Sequence, residues 1–282
     1  MKFGYAHGNP PYSIVVLHGG PRAWGDVKAL AKEIGPKFGV LEPYDQGEKI
    51  KSSLHQLQKI IRTYGNPPMT IIGHSWGAWI AVLFGASYPA LVKKVILIGA
   101  GPFTSDLTHQ IDQTRQSRMN SSERKRYRDF LVQDYDPKHG IPWEEMNWLT
   151  KFCKKLDLYE PLPSVNLSRQ TNEIDAVQEI LGKETQFKPF MALNHELELM
   201  RRDGKLIEAM ENVECPVVAI HGDYDSHPAE AVEIAVKNHA KHGEFYLLPK
   251  CGHYPWLEVH AEKRFYQILF DQLESRQNQT MF

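Results

Sequence analysis

Four short, almost unbroken apolar runs constrain this chain more than any other feature: IVVL at 14–17, MTII at 69–72, VILI at 95–98 and VVAI at 217–220. A strand with one wet face alternates apolar and polar residues, whereas a strand covered on both faces has no polar side to show. Strands of the second kind belong to parallel sheets packed between helices. Weaker runs of similar character lie at 38–42 and 244–248. Between the runs, apolar residues recur at helical spacing: Leu54, Leu57, Ile60 and Ile61 in one segment, and the stretch from Trp76 to Tyr88, closed by Pro89, in another. Ala231, Ile234 and Ala235, then Phe265, Ile268 and Leu269, mark two more. Strand and helix alternating in this way predict an α/β fold built on a parallel sheet.

From about Pro102 to Asn212 the rhythm breaks. No strong strand run occurs there. A helix is expected from near Pro142, with Met146, Leu149, Phe152 and Leu156 along one stripe, and a later one carries Leu193, Leu197 and Met200. Pro161 and Pro163 punctuate the region. The pattern predicts a helical insertion, 103–212, between two halves of one sheet-bearing core, 1–102 and 213–282. Residues 275–282 are expected to form a loose tail.

With 33 Lys and Arg against 34 Asp and Glu, the net charge is -1, and a nucleic-acid partner, which needs a basic face, is not expected. The one basic cluster, Arg124, Lys125, Arg126 and Arg128, is interleaved with Glu123, Asp129, Asp134 and Asp136 and is expected to be a solvated helix face. Cys153, Cys215 and Cys251 are odd in number and widely spaced, which suits neither a disulfide framework nor a zinc site. They predict free thiols in a reducing compartment. The first apolar run is too short for a signal-peptide core or a membrane span. A cytoplasmic protein without a membrane partner is expected.

The strongest chemical signal is Gly73-His74-Ser75-Trp76-Gly77, which follows the run at 69–72 and opens the helix at Trp76. A G-x-S-x-G on a sharp strand-to-helix turn holds its serine strained, with the hydroxyl exposed. Serine alone is a poor nucleophile and needs a base and donors for a developing oxyanion. His18-Gly19-Gly20-Pro21 ends the first run and can aim the Gly20 N–H at the same point as the Trp76 N–H. Pro21 has no N–H to offer. His221-Gly222-Asp223-Tyr224-Asp225 and Gly252-His253 also end strand runs, at the sheet edge where distant side chains converge. The order Ser75, Asp225, His253 then supplies nucleophile, acid and base. Asp223 competes with Asp225, which lies three residues past Gly222 and is the expected acid. His221, Asp223, Asp225 and His227 could be read as metal ligands, but no matching motif stands elsewhere, and neither metal nor cofactor is expected. His74 and His221 are expected to be structural.

On these residues the chain resembles the α/β-hydrolase fold superfamily across 1–102 and 213–282. His18-Gly19-Gly20-Pro21 and Pro43-Tyr44-Asp45-Gln46-Gly47 are similar to motifs of its proline iminopeptidase branch, with Arg22 in place of the branch's last glycine. The resemblance implies a mostly parallel sheet flanked by helices, with a helical cap inserted after the sixth strand to exclude water and shape a pocket. Trp143, Trp148, Phe152 and Phe190 are candidates to line that pocket. The implied activity is that of a cofactor-independent serine hydrolase cleaving an ester or amide of a small molecule. The alternatives are an aminopeptidase, with Glu196 and Glu198 as candidate anchors for a free amine, and a hydrolase-shaped protein that binds a ligand without chemistry. Carbon–carbon bond hydrolysis and acyl transfer use the same triad.

Overall fold

The computed structural model describes residues 4–21, 23–44, 47–132, 142–165 and 187–274, with the backbone alone at 143 and 187–190. All four apolar runs are strands. In chain order the sheet contains β1 (Gly4–His7), β2 (Ile14–Leu17), β3 (Val40–Pro43), β4 (Met69–His74), β5 (Val92–Ile98), β6 (Val217–Gly222) and β7 (Gly243–Leu248). The spatial order is β1-β3-β2-β4-β5-β6-β7. Among the described strands only the β1–β3 pair is antiparallel, with His7 opposite Val40. Every residue of β2, β4 and β6 is buried, as expected of strands sandwiched between two helical layers.

The helices are α1 (Lys28–Phe38), α2 (Ile50–Tyr64), α3 (Trp76–Ser87), α4 (His109–Ser117), α5 (Ser121–Val132), α6 (Trp143–Leu156), α7 (Phe187–Arg202), α8 (Lys205–Glu211), α9 (Ala229–His239) and α10 (Glu262–Glu274). The pleat sends alternate strand residues to opposite layers. Val15, Leu17, Ile71, Val95, Leu97, Val217 and Ala219 share a core with α2, α3, α8 and α9. Ile14, Val16, Ile72, Ile96, Ile98, Val218 and Ile220 share the other with α1 and α10.

Two elements escape the sequence pattern. β1 is a half-exposed edge strand with little apolar content, and α1 contains Pro36 close to its end, a turn signal where the helix still runs. The helical segment follows β5, the fifth strand in this chain's own count. Within the expected insertion, Leu193 and Leu197 of α7 and Leu206 and Met210 of α8 join the core on the α3 side. The basic cluster lies on α5 with Arg124, Lys125, Arg126 and Arg128 exposed, as a solvated face should be. Cys153, Cys215 and Cys251 form no disulfide among the described residues. Among the described residues no helix is long and apolar enough to cross a membrane. The expected tail at 275–282 lies outside the described residues.

Candidate active site

β4 ends at His74 and α3 begins at Trp76, so Ser75 alone makes the turn, at φ 52° and ψ -117°. A side-chain-bearing residue in left-handed space costs roughly 1–2 kcal/mol and persists only where its surroundings over-determine it. Here the Ser75 N–H donates to the Ile98 carbonyl at 2.9 Å. The flanking glycines let strand and helix meet: a Cβ on Gly73 would lie 2.2 Å from the Gly77 carbonyl oxygen, and one on Gly77 would lie 2.5 Å from that of His18. The Ser75 hydroxyl makes no hydrogen bond among the described residues.

The turn after β2 separates two amides. The Gly19 N–H donates to the Asp26 carboxylate at 2.9 Å and is therefore occupied. Gly20, at φ 58°, and Trp76, the first residue of α3, have N–H groups without an acceptor among the described residues. The His18 ring holds the loop in place: its Nδ1–H donates to the Gly20 carbonyl at 2.9 Å, and it stacks on the Trp76 indole, centroids 6.2 Å apart and planes 4° from parallel. The unpaired amide at the helix N-terminus adds a positive potential that favours an anion.

β6 delivers the acid and the loop after β7 delivers the base. The His253 Nδ1–H donates to Asp225 Oδ2 at 2.7 Å, both side chains being buried. Of the two candidate acids only Asp225 reaches the imidazole; Asp223 instead accepts the Cys251 N–H at 3.2 Å. The serine and histidine loops meet through their neighbours. His74, preceding Ser75, donates from Nε2 to the His253 carbonyl at 3.1 Å, and its ring centroid lies 4.7 Å from that of His253. Gly99, next to Ile98, has φ 52° and packs so closely that a Cβ would lie 2.9 Å from the His253 carbonyl oxygen, 3.0 Å from its Nδ1 and 3.3 Å from Asp225 Oδ2.

The electrostatics follow from burial and from the histidines around Asp225. Burial alone would raise the Asp225 pKa; the attraction of His253, then of His227 and His221, outweighs it and holds the carboxyl well below the ordinary carboxylate range. His74 and His221 are pushed below the usual histidine value by burial. Both bond to main-chain carbonyls, His221 donating to His227 at 2.9 Å, which is the structural role expected of them. Asp225, His227 and His253 present nitrogen and oxygen atoms within 4.8 Å of one another, yet each Asp225 oxygen already accepts an imidazole N–H.

Several groups at the site carry no sequence motif. The His253 N–H donates to the carbonyl of Asp157, just past α6, at 2.8 Å. The Asp157 carboxylate is gripped by Arg115 of α4. Arg118 donates to the Tyr224 carbonyl at 2.6 Å and the Leu156 carbonyl at 2.9 Å. Glu258, fully buried, accepts the N–H groups of Tyr159, Glu160 and Gly252. Lys154 of α6 lies 4.6 Å above the Tyr254 ring, and burial, opposed by the Asp26 charge, pushes its pKa down to about 8. Nothing in a local pattern separates these side chains from ordinary surface charges.

The expected pocket-lining aromatics fare differently. Trp148 and Phe152 stack on each other at 5.1 Å and pack with Tyr127, Phe130 and Met119. These contacts are helix–helix packing among α5, α6 and the turn before α5; an amphipathic stripe shows which residues are apolar and not what else they face. The side chains of Trp143 and Phe190 lie outside the described residues. Of the candidate amine anchors, Glu196 accepts the Ile50 N–H at 2.9 Å, and Glu198 pairs with Arg201.

An elbow serine, two free amides and a histidine–carboxylate pair at the ends of parallel strands define a hydrolase-like site. The chain belongs to the alpha/beta hydrolase fold family, whose model matches residues 46–258. It is 42% identical over 53 residues, 19% of its length, to the alpha/beta hydrolase domain-containing protein VTE7 of Arabidopsis thaliana, covering 16% of that protein. To Epoxide hydrolase 4 of Mus musculus it is 26% identical over 97 residues, 30% of this chain and 27% of that one. The chain thus matches well under half the length of these relatives. A putative lipase from Acinetobacter baumannii AYE shares the fold, with a TM-score of 0.63 and 18% identity over 96% of this chain and 88% of that one.

Proposed function

We propose that this chain is a serine hydrolase that cleaves an ester or amide of a small molecule. The observation that carries the reading is the buried 2.7 Å contact between His253 Nδ1 and Asp225 Oδ2, on a base whose loop packs through His74 and Gly99 against the strained Ser75 turn. In this mechanism Ser75 attacks the carbonyl carbon and His253 takes its proton at Nε2. Asp225 fixes the tautomer by holding Nδ1–H and stabilises the imidazolium that forms. The Gly20 and Trp76 amides receive the oxyanion. His253 returns the proton to the leaving group, and water deprotonated by the same imidazole releases the acid from the acyl-enzyme.

Two similar proteins carry the name of epoxide hydrolase, but the serine argues against that chemistry here. Attack by a hydroxyl on an epoxide carbon gives an ether, which has no carbonyl for water to enter, so turnover would stop after one event. Acyl substrates give an ester intermediate and regenerate the enzyme. The aminopeptidase alternative gains nothing from Glu196 and Glu198, whose carboxylates are engaged elsewhere. The binding-protein alternative is separated from catalysis by a fluorophosphonate probe, which labels only an activated serine.

The test is hydrolysis of short-chain p-nitrophenyl esters by the wild type and by Ser75→Ala. The substitution is expected to remove most of a rate enhancement of about 10⁶-fold, the scale of triad knockouts elsewhere. Turnover that survives Ser75→Ala, or a wild type that neither hydrolyses esters nor reacts with the probe, overturns the reading.

A further inference from the structure

Asp225 serves two histidines. Its Oδ2 accepts the N–H of His253, while its Oδ1 accepts both the backbone N–H of His227 at 2.9 Å and that residue's ring Nδ1–H at 2.8 Å. The two imidazoles stack, centroids 4.5 Å apart and planes 23° from parallel. A carboxylate anchored on one oxygen by two donors from a single residue cannot rotate about its Cβ–Cγ bond without breaking both. Its other oxygen is thereby held toward His253, and the flat face of His227 limits the tilt of the His253 ring. The remaining side chains of the cluster are fixed as well, His221 through its bond to the His227 carbonyl and Asp157 through Arg115.

On the reading of the site as a serine hydrolase, we propose that His227 is a positioning residue for the acid–base pair: its ring N–H locks the Asp225 carboxylate in the orientation that His253 requires. The groups facing His227 are Asp225 and His221 from the β6 end, His253 from the loop after β7 and Asp157 from the end of α6, the last two with Asp225 forming one electrostatic cluster. Removal of the ring donor leaves more negative charge on Oδ2. The charge on Oδ2 and its hold on His253 both change, and because the base must be neutral to act, the acid limb of the kcat/KM profile is displaced.

The experiment compares wild type, His227→Ala, His227→Asn and His227→Phe on a p-nitrophenyl ester across pH, with circular dichroism and Tm as checks of folding. Asparagine places an N–H donor near the position of the ring Nδ1, whereas phenylalanine keeps the stack without the donor. His227→Ala and His227→Phe are expected to lose roughly 10- to 100-fold in kcat, the scale of one hydrogen bond to a charged group, with KM little changed and the acid limb displaced. His227→Asn is expected to recover most of both. Should alanine fail to fold, the asparagine and phenylalanine variants decide alone. Wild-type kcat and pH profile in His227→Phe overturn the proposal, as does an equal loss in His227→Asn and His227→Phe. A wild type silent toward esters sinks the hydrolase reading instead. In that event the low-field imidazole N–H resonance of His253 reports the same lock: a sharp signal in wild type and His227→Asn that broadens in His227→Phe supports it, and no difference refutes it.

Discussion

Gly99→Ala tests how tightly the serine, histidine and acid loops are fitted together. Gly99 sits at φ 52°, so alanine there costs roughly 1–2 kcal/mol of backbone strain before it touches anything. Its methyl group would also lie 2.9 Å from the His253 carbonyl oxygen and 3.0 Å from its Nδ1. Both atoms are held by other bonds and cannot give way freely. Overpacking of this kind adds about 1–3 kcal/mol, for a total of roughly 2–5 kcal/mol. At about 2–4 °C per kcal/mol for a domain of this size the Tm should fall by roughly 4–20 °C. A displacement near 1 Å at the base should lower kcat by about 10²-fold. Gly204→Ala is the matched control: Gly204 has φ 74° and nothing within 4 Å of its would-be Cβ. It should show the strain alone, roughly 1–2 kcal/mol, with wild-type kcat. Thermal unfolding and p-nitrophenyl ester hydrolysis on the same samples give both numbers. A Gly99→Ala enzyme that loses no more Tm than Gly204→Ala and keeps its kcat would refute the claim that this glycine is set by contact with His253.

Two further outcomes follow from buried charges. Arg115→Leu strands the Asp157 carboxylate, 2% exposed, and should cost about 3–5 kcal/mol in urea denaturation; burial raises the Asp157 pKa, but Arg115 overcomes this and holds it below the ordinary carboxylate value. A depressed carboxyl contributes stability above its unfolded pKa and loses it as pH falls through the folded one, so the variant should also flatten the acid side of the stability profile, and an unchanged acid slope would contradict the pairing. For Lys154 the slope has the same sign but a different cause, the charged form being the one that burial disfavours: its folded pKa near 8 lies below the unfolded value of about 10.4, the unfolded state binds more protons between them, and stability should rise with pH across that window. Lys154→Met should remove the rise and lift the Tm at neutral pH, and a rise that persists would show that another group causes it.

The sheet was legible because its strands are buried on both faces, which leaves a run such as VVAI at 217–220 with no alternative home. The elbow was legible because Gly73, Ser75 and Gly77 meet a steric demand that few other residues meet. Contacts across the chain were hidden. His227 stood beside the expected acid, yet its part depends on a ring that folds back onto Asp225 and stacks on a residue 26 positions away. Glu258 looked like any glutamate before a helix, and only the arrival of three backbone N–H groups from two loops explains its burial. The packing of Trp148 and Phe152 on Tyr127 and Phe130 was hidden for a related reason: helical periodicity marks an apolar face and does not name its partner.

The same cross-chain contacts join the helical segment to the chemistry. The α6 end meets the base through the Asp157 carbonyl, Arg118, just past α4, meets the acid loop at the Tyr224 carbonyl, and Glu258 binds residues 159 and 160 to Gly252, immediately before His253. A segment held only at its two chain ends could shift over the sheet without disturbing the acid and base. Here any movement of α4 or the α6 end pulls on the main chain beside both, and the bonds resisting it are buried and partly ionic, where loss of one partner is costly. Changes on α4 and α6 are therefore expected to register in kcat as well as in KM, even at positions that touch no substrate.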